Sequence, residues 1–295
     1  MKGLYTVVVT PFTKKGDLDE VGLRRNLRFQ IDKTDGIVVL GTTGETPTLT
    51  EDEKERVIRI AVEEVKGKLP LVVGTGSYST RQTIEHTAKA KDLGADMALI
   101  VTPYYNRPTQ EGIYCHFKEI TSAVDLPVCV YNIQSRTGQN IQTDTLKRIA
   151  DLPHIIGVKE SSCNISQIGD VIESIARQRP GFCVMSGDDA LTLLTISLGG
   201  DGILSVVSNL IPRPIREMTH AALKGDFDKA RELHYQLMPI FRAAFIETNP
   251  IPIKAAMEMC GMAAGPGRLP LCPLLPDNAS KLKHVVNTLP KEWLK

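Results

Sequence analysis

The sequence contains no C-x-x-C pair, no H-x-H and no H-E-x-x-H, and its six cysteines and six histidines are scattered over 295 residues. These absences remove the paired-cysteine zinc and redox motifs and the helical zinc-hydrolase motif, so a metal-dependent aldolase lacks ligands. Phosphate loops are missing too. Gly41-Thr42-Thr43-Gly44 is not followed by Gly-Lys-Ser/Thr, and Gly74-Thr75-Gly76-Ser77-Tyr78-Ser79 lacks the third glycine of a dinucleotide fingerprint. Neither sign of charge dominates, with 35 Lys and Arg against 34 Asp and Glu. That balance gives no reason to expect nucleic acid or a membrane surface as a partner. No apolar run approaches the ~20 residues of a membrane span. The opening MKGLYTVVVTPF carries one Lys and no small-residue cleavage site, so it reads as a first strand rather than a leader. Cys129 and Cys183 lie in apolar runs, where a reduced thiol packs as a small hydrophobe. The expected setting is therefore a reducing compartment, the cytoplasm, without a disulfide framework. Small-molecule chemistry remains.

What the chain does have is a rhythm. Apolar, strand-like runs recur at 4–10, 36–41, 69–74, 97–103, 127–132, 155–159, 183–187 and 202–208, with helix-period segments between them. In the segment 51–65, Val57, Ile58, Ala61, Val62 and Val65 make one apolar stripe, and Thr50 with Glu53 spells a capping box. A strand and a helix repeated about every thirty residues predict right-handed βαβ units on a parallel sheet. Eight such units favour an α/β fold of the closed (β/α)8 TIM-barrel type over an open doubly wound sheet. The expected division is a barrel over 1–224 and a C-terminal helical extension over 225–295, with helices near 229–242, 252–259 and 278–287.

One stretch of that pattern is chemically odd. Ile155-Ile156-Gly157-Val158-Lys159 reads as a fully buried strand that ends in a lysine. Such a lysine either reaches water or stays among apolar strands, and the second case favours the free amine, which can attack a carbonyl to form a Schiff base. In a barrel the strand C-termini line the active-site face. The polar residues at the other strand ends are then Thr42 and Thr43, Tyr104 and Tyr105, Tyr131 and Asn132, and the stretch from Ser186 to Asp189. Hydroxyls outnumber carboxylates and histidines there, which suits proton relays around an amine.

Several motifs, in order and at matching spacing, carry a specific resemblance. They are Gly41-Thr42-Thr43-Gly44-Glu45, Val101-Thr102-Pro103-Tyr104-Tyr105, Tyr131-Asn132 with Ser135-Arg136-Thr137-Gly138, Gly157-Val158-Lys159-Glu160-Ser161, Ser186-Gly187-Asp188-Asp189 and Asn249-Pro250-Ile251-Pro252-Ile253-Lys254. Over nearly the whole chain the sequence resembles the dihydrodipicolinate synthase/N-acetylneuraminate lyase superfamily. The resemblance implies a homotetrameric (β/α)8 barrel, a dimer of dimers, that forms a Schiff base with pyruvate and uses no cofactor and no metal. It also assigns roles. Lys159 is the Schiff-base lysine and Tyr131 the acid/base, with Thr42 and Tyr105 completing a hydroxyl relay in which Tyr105 serves a neighbouring subunit. Thr43 and Gly44 receive the pyruvate carboxylate, while Gly187 and the backbone carbonyl of Leu204 face the pyruvate moiety. Within the superfamily the Ser-Arg-Thr-Gly form resembles the dihydrodipicolinate synthases, where Arg136 clamps the carboxylate of L-aspartate 4-semialdehyde bidentately. Gln134 departs from the proline common in that loop, which questions the loop's stiffness. Asp188 and Asp189 read as helix caps, and 249–254 as a helix start and packing motif. The alternatives are another pyruvate-lysine aldolase, such as an N-acetylneuraminate or 2-keto-3-deoxy-sugar lyase, and a catalytically silent binding barrel.

Overall fold

In a computed structural model, which describes residues 1–294, every expected strand is present. The strands are β1 (Gly3–Val7), β2 (Gly36–Val39), β3 (Leu71–Gly74), β4 (Met97–Val101), β5 (Val128–Asn132), β6 (Ile155–Glu160), β7 (Cys183–Ser186) and β8 (Gly202–Ser205). They form a closed barrel in sequence order, and every pairing with a defined register is parallel. Most strands end one to three residues before the apolar run does. The remainder turns: Val207–Asn209, for instance, is a short 3-10 helix after β8. Such turns let polar side chains leave the strand ends without breaking the ladder below them.

The chain segregates by contacts into two sets, Val72–Leu204 with the first two residues, and Gly3–Leu71 with the chain from Ser205 onward. In the first set, helix Gln110–Ala123 contributes Ile113, Phe117 and Ile120 to a fully buried cluster with Val128, Val130, Ile141, Leu146 and Val158. At roughly 1.5–3 kcal/mol for each buried side chain of this size, the cluster fixes β5 and β6, the strands that carry Tyr131 and Lys159.

In the second set, helix Glu51–Val65 begins with the expected capping box, both of its hydrogen bonds being formed by Thr50 and Glu53. The C-terminal helices are Phe227–Ala243, Ile251–Met259 and Pro276–Thr288, close to the spans expected from the sequence. The tail is tied down by buried and half-buried side chains. Asn26 Nδ2 donates to the carbonyl of Ala263 at 2.6 Å, and the Arg268 guanidinium reaches both Glu53 oxygens at 2.7 and 2.5 Å. Among the described residues, no helix is long and apolar enough to cross a membrane.

Candidate active site at the strand ends

Lys159 is the fifth residue of β6 and is only 4% exposed. Its register partners are Tyr131 on β5 and Met185 on β7, so the ammonium group is walled by its neighbours rather than released into water. Its Nζ lies 4.2 Å from the centroid of the Tyr131 ring. Tyr131 is 5% exposed. The amine thus packs on the buried ring of Tyr131, and the reading in which Lys159 simply reaches solvent is excluded.

Gly187 lets Ser161 and the lysine stem pack directly against the chain. A Cβ at this position would fall 1.7 Å from Ser161 Oγ and 2.9 Å from Lys159 Cε, so no side chain fits beside the lysine stem. Asp188 caps the turn that follows by accepting from the amide of Ala190 at 2.8 Å, as expected. Leu204 lies within β8 and is fully buried. Ser161 Oγ is buried without a hydrogen-bond partner.

Side chains alternate along a strand, so Glu160 faces away from Lys159. Its carboxylate is 1% exposed and accepts from Asn132 Nδ2 at 3.1 Å, from the Ser162 amide at 2.7 Å and from Gln167 Nε2 at 3.2 Å. Asn132 also bonds Asn140 and the amide of Ile141, while Gln110 holds the Asn140 carbonyl and the Gln142 amide. The network joins the ends of β5 and β6 to the loop that carries Arg136. Arg136 is exposed on the helical turn Gln134–Thr137, which Gly138 closes in the left-handed conformation. With glutamine at 134 the turn is closed by the amides of Arg136 and Thr137 on the Ile133 carbonyl and of Gly138 on the Gln134 carbonyl.

Tyr105 is placed differently. It has a left-handed φ of 67° and is 93% exposed. Beside it Tyr104 packs edge-on against Tyr78, ring centroids 5.6 Å apart, and burial pushes the Tyr104 phenol up. The loop therefore presents Tyr105 outward.

The second group of expected residues follows β2. Thr42–Gly44 is one turn of 3-10 helix, with Thr42 half-buried and Thr43 1% exposed. Thr43 Oγ1 accepts from Asn249 Nδ2 at 3.1 Å, and the Gly44 carbonyl accepts from Thr10 Oγ1 at 2.7 Å. Glu45 takes a left-handed φ of 54° and pairs with Lys254 at 2.6 Å, both side chains being buried. The segment 249–254, read from sequence as packing, in fact supplies two of the side chains that hold this turn. The signal that it did more was a lysine and an asparagine inside an otherwise apolar helix start. Among the described residues no three His, Cys, Asp or Glu side chains cluster as a metal site would require.

A closed parallel barrel with a buried amine packed on a phenol at its strand ends defines the class, a (β/α)8-barrel enzyme. The chain belongs to the dihydrodipicolinate synthetase family, whose model matches residues 1–289. It is 59% identical over 295 residues to the 4-hydroxy-tetrahydrodipicolinate synthase of Protochlamydia amoebophila strain UWE25, covering 100% of this chain and 98% of that one. Identity to the enzyme of the same name from Hydrogenobaculum sp. strain Y04AAS1 is 50%, covering 97% and 98%. The crystal structure of dihydrodipicolinate synthase from Aquifex aeolicus superposes with a TM-score of 0.94 at 44% identity, covering 97% of each chain. A monomeric dihydrodipicolinate synthase variant superposes with a TM-score of 0.95 at 42% identity, covering 97% and 96%.

Proposed function

We propose that the protein is a 4-hydroxy-tetrahydrodipicolinate synthase, a lyase-type enzyme of diaminopimelate and lysine synthesis that condenses pyruvate with L-aspartate 4-semialdehyde. The observation that carries the reading is Lys159, buried against the Tyr131 ring beside a glycine that lets the chain pack directly on the lysine stem. The Lys159 amine adds to the ketone carbon of pyruvate, and loss of water leaves the imine. Tyr131 moves the proton that converts the imine to its enamine, and the enamine carbon attacks the semialdehyde aldehyde. The semialdehyde's own amine then displaces Lys159 from the imine carbon, closing the ring and freeing the enzyme. Thr43 and Gly44 receive the pyruvate carboxylate, with Gly187 and the Leu204 carbonyl alongside. Arg136 holds the carboxylate of the second substrate through paired charge-assisted hydrogen bonds.

Thr42 and Tyr105 complete the proton path. The 93% exposure of Tyr105 supports the reading that its hydroxyl serves a second copy of the chain, within a homotetramer built as a dimer of dimers. The barrel over 1–224 is the catalytic part and 225–295 the helical extension. The six free cysteines suit a cytoplasmic setting.

Borohydride reduction in the presence of pyruvate tests the chemistry, with the added mass expected on Lys159. Arg136→Ala separates this reading from a sugar-aldolase one. The variant should still trap pyruvate but lose about ten- to a hundredfold in kcat/KM for the semialdehyde, the equivalent of roughly 1.5–3 kcal/mol. Unchanged selectivity for that aldehyde would remove Arg136 from the site.

A further inference from the structure

We infer that Asn249 is a positioning residue that sets the direction in which Thr43 offers its hydroxyl proton. The inference rests on the reading that Thr43 and Gly44 receive the carboxylate of pyruvate. Three consecutive residues of this turn are each held by a buried side chain from elsewhere in the chain. Asn249 Nδ2 donates to Thr43 Oγ1 at 3.1 Å, a contact between residues 206 apart in sequence, and Asn249 is itself 5% exposed. Thr10 Oγ1 donates to the Gly44 carbonyl at 2.7 Å. Lys254 Nζ donates to Glu45 Oε1 at 2.6 Å and to the Thr10 carbonyl at 3.2 Å. Glu45 Oε2 in turn accepts the Arg268 amide at 3.0 Å. The turn is therefore fixed from its far side.

The polarity of the Asn249 contact gives it a function beyond packing. A threonine hydroxyl has one proton and two lone pairs. Because the Asn249 amide donates, it occupies a lone pair of Oγ1, and the single proton stays available for another acceptor. An anion needs donors, so this polarity makes Thr43 a carboxylate-binding hydroxyl. An aspartate at 249 would reverse it by accepting the Thr43 proton, and would add a like charge behind the anion's seat, which opposes binding.

The test compares Asn249→Ala and Asn249→Asp in the full-length protein. Read-outs are the pyruvate KM, kcat, and the pyruvate concentration giving half-maximal borohydride trapping. Asn249→Ala should raise the pyruvate KM about fivefold, the loss of one neutral hydrogen bond, with kcat within about threefold. The nearly isosteric Asn249→Asp should raise it on the order of a hundredfold, and it remains informative if the alanine variant does not fold. In a Thr43→Val background the Asn249→Asp penalty should be clearly smaller, because no hydroxyl is left to orient and only the like charge remains. An unchanged KM in Asn249→Asp, an equal penalty with and without the Thr43 hydroxyl, or a fall in thermal midpoint alone would overturn the inference. Failure of the wild-type protein to trap pyruvate would instead overturn the functional reading, and the inference with it.

Discussion

Two lysines in this molecule are buried to almost the same degree and have different partners. Lys159 is 4% exposed and Lys254 2%, and each ammonium nitrogen sits over an aromatic ring, Tyr131 at 4.2 Å and Phe12 at 4.3 Å. Lys254 also has Glu45 at 2.6 Å and the carbonyls of Thr10 and Pro266 at 3.2 and 3.0 Å. No carboxylate pairs with Lys159 among the described residues. Burial pushes the Lys254 amine down, and Glu45 works against that shift. Taking an ammonium out of water costs several kcal/mol unless oxygen partners replace the water. Where they do, the lysine is a tie between chain segments; where they do not, we propose that it serves as the amine that forms the Schiff base. Partners, not burial, separate the two.

The largest effect is expected at Lys159. Lys159→Ala should leave the thermal midpoint close to wild type, since it removes a buried amine that no carboxylate pairs with among the described residues, and should reduce synthase activity by a thousandfold or more, as expected for loss of a covalent nucleophile. Mass spectrometry after borohydride treatment should find pyruvate on Lys159 and none on Lys254. Adduct on Lys254 in the wild-type protein would mean that its ion pair does not protect the amine.

Lys254→Met should show the converse. It leaves the Glu45 carboxylate buried without its cation, which costs about 3–5 kcal/mol, and urea unfolding should move accordingly. Glu45→Gln/Lys254→Met removes both charges and should recover most of that loss, because a buried pair replaced as a unit is often close to neutral. If the single and double variants were equally unstable, the pair would be acting by shape rather than by charge.

This distinction marks how far the sequence could be read. Strand spacing and the capping box at Thr50 are local signals, and they place the strand ends, the helix Glu51–Val65 and Lys159. The Lys159–Tyr131 contact follows from register between adjacent strands, which a barrel topology implies. The support of the Thr43 turn does not follow from any local pattern. Asn249 and Lys254 meet residues more than 200 positions away, and at that separation their sequence reads as a helix start. The Glu160 network is similarly hidden, because alternation says only that Glu160 faces away from Lys159, not that Asn132, Gln167 and the Ser162 amide wait there. Tyr105 was legible as a strand-end tyrosine, but its outward direction comes from a left-handed backbone that no propensity reports.

His116 is an intermediate case, with one nitrogen satisfied and one not. Its Nδ1 lies 2.9 Å from Thr80 Oγ1, and Nε2 is buried without a partner. Burial pushes its pKa down to about 4. With the folded value below the ordinary ~6.5, the unfolded chain binds the extra proton first as pH falls. Stability should therefore be full above pH ~6.5 and should decline towards pH ~4, by a total on the order of 3 kcal/mol. Burial shifts His234 in the same direction. Glu53, held down to about 2 by the Arg268 guanidinium, adds its own loss only below the ordinary carboxylate value of ~4.3. Urea midpoints measured between pH 7 and 4.5 should fall for the wild type and flatten in His116→Gln. An equally steep decline in that variant would move the effect to other groups.

The smallest effect separates an unpaired neutral group from an unpaired charge. Ser161 Oγ is buried with no hydrogen-bond partner, two residues beyond Lys159, in the space that a side chain at Gly187 would need. A hydroxyl stripped of water and left unbonded costs roughly 1–3 kcal/mol, while its few atoms of packing return part of that. Ser161→Ala deletes the polar atom and keeps the Cβ, so the ligand-free protein should become slightly more stable, by about 1 kcal/mol or less. Equilibrium urea unfolding without pyruvate reads this directly, and Ser161→Val at the same site gauges how much room the hydroxyl occupies. A clear loss of stability in Ser161→Ala would mean that the hydroxyl is paired in solution, through water or a small rotation towards a neighbouring carbonyl.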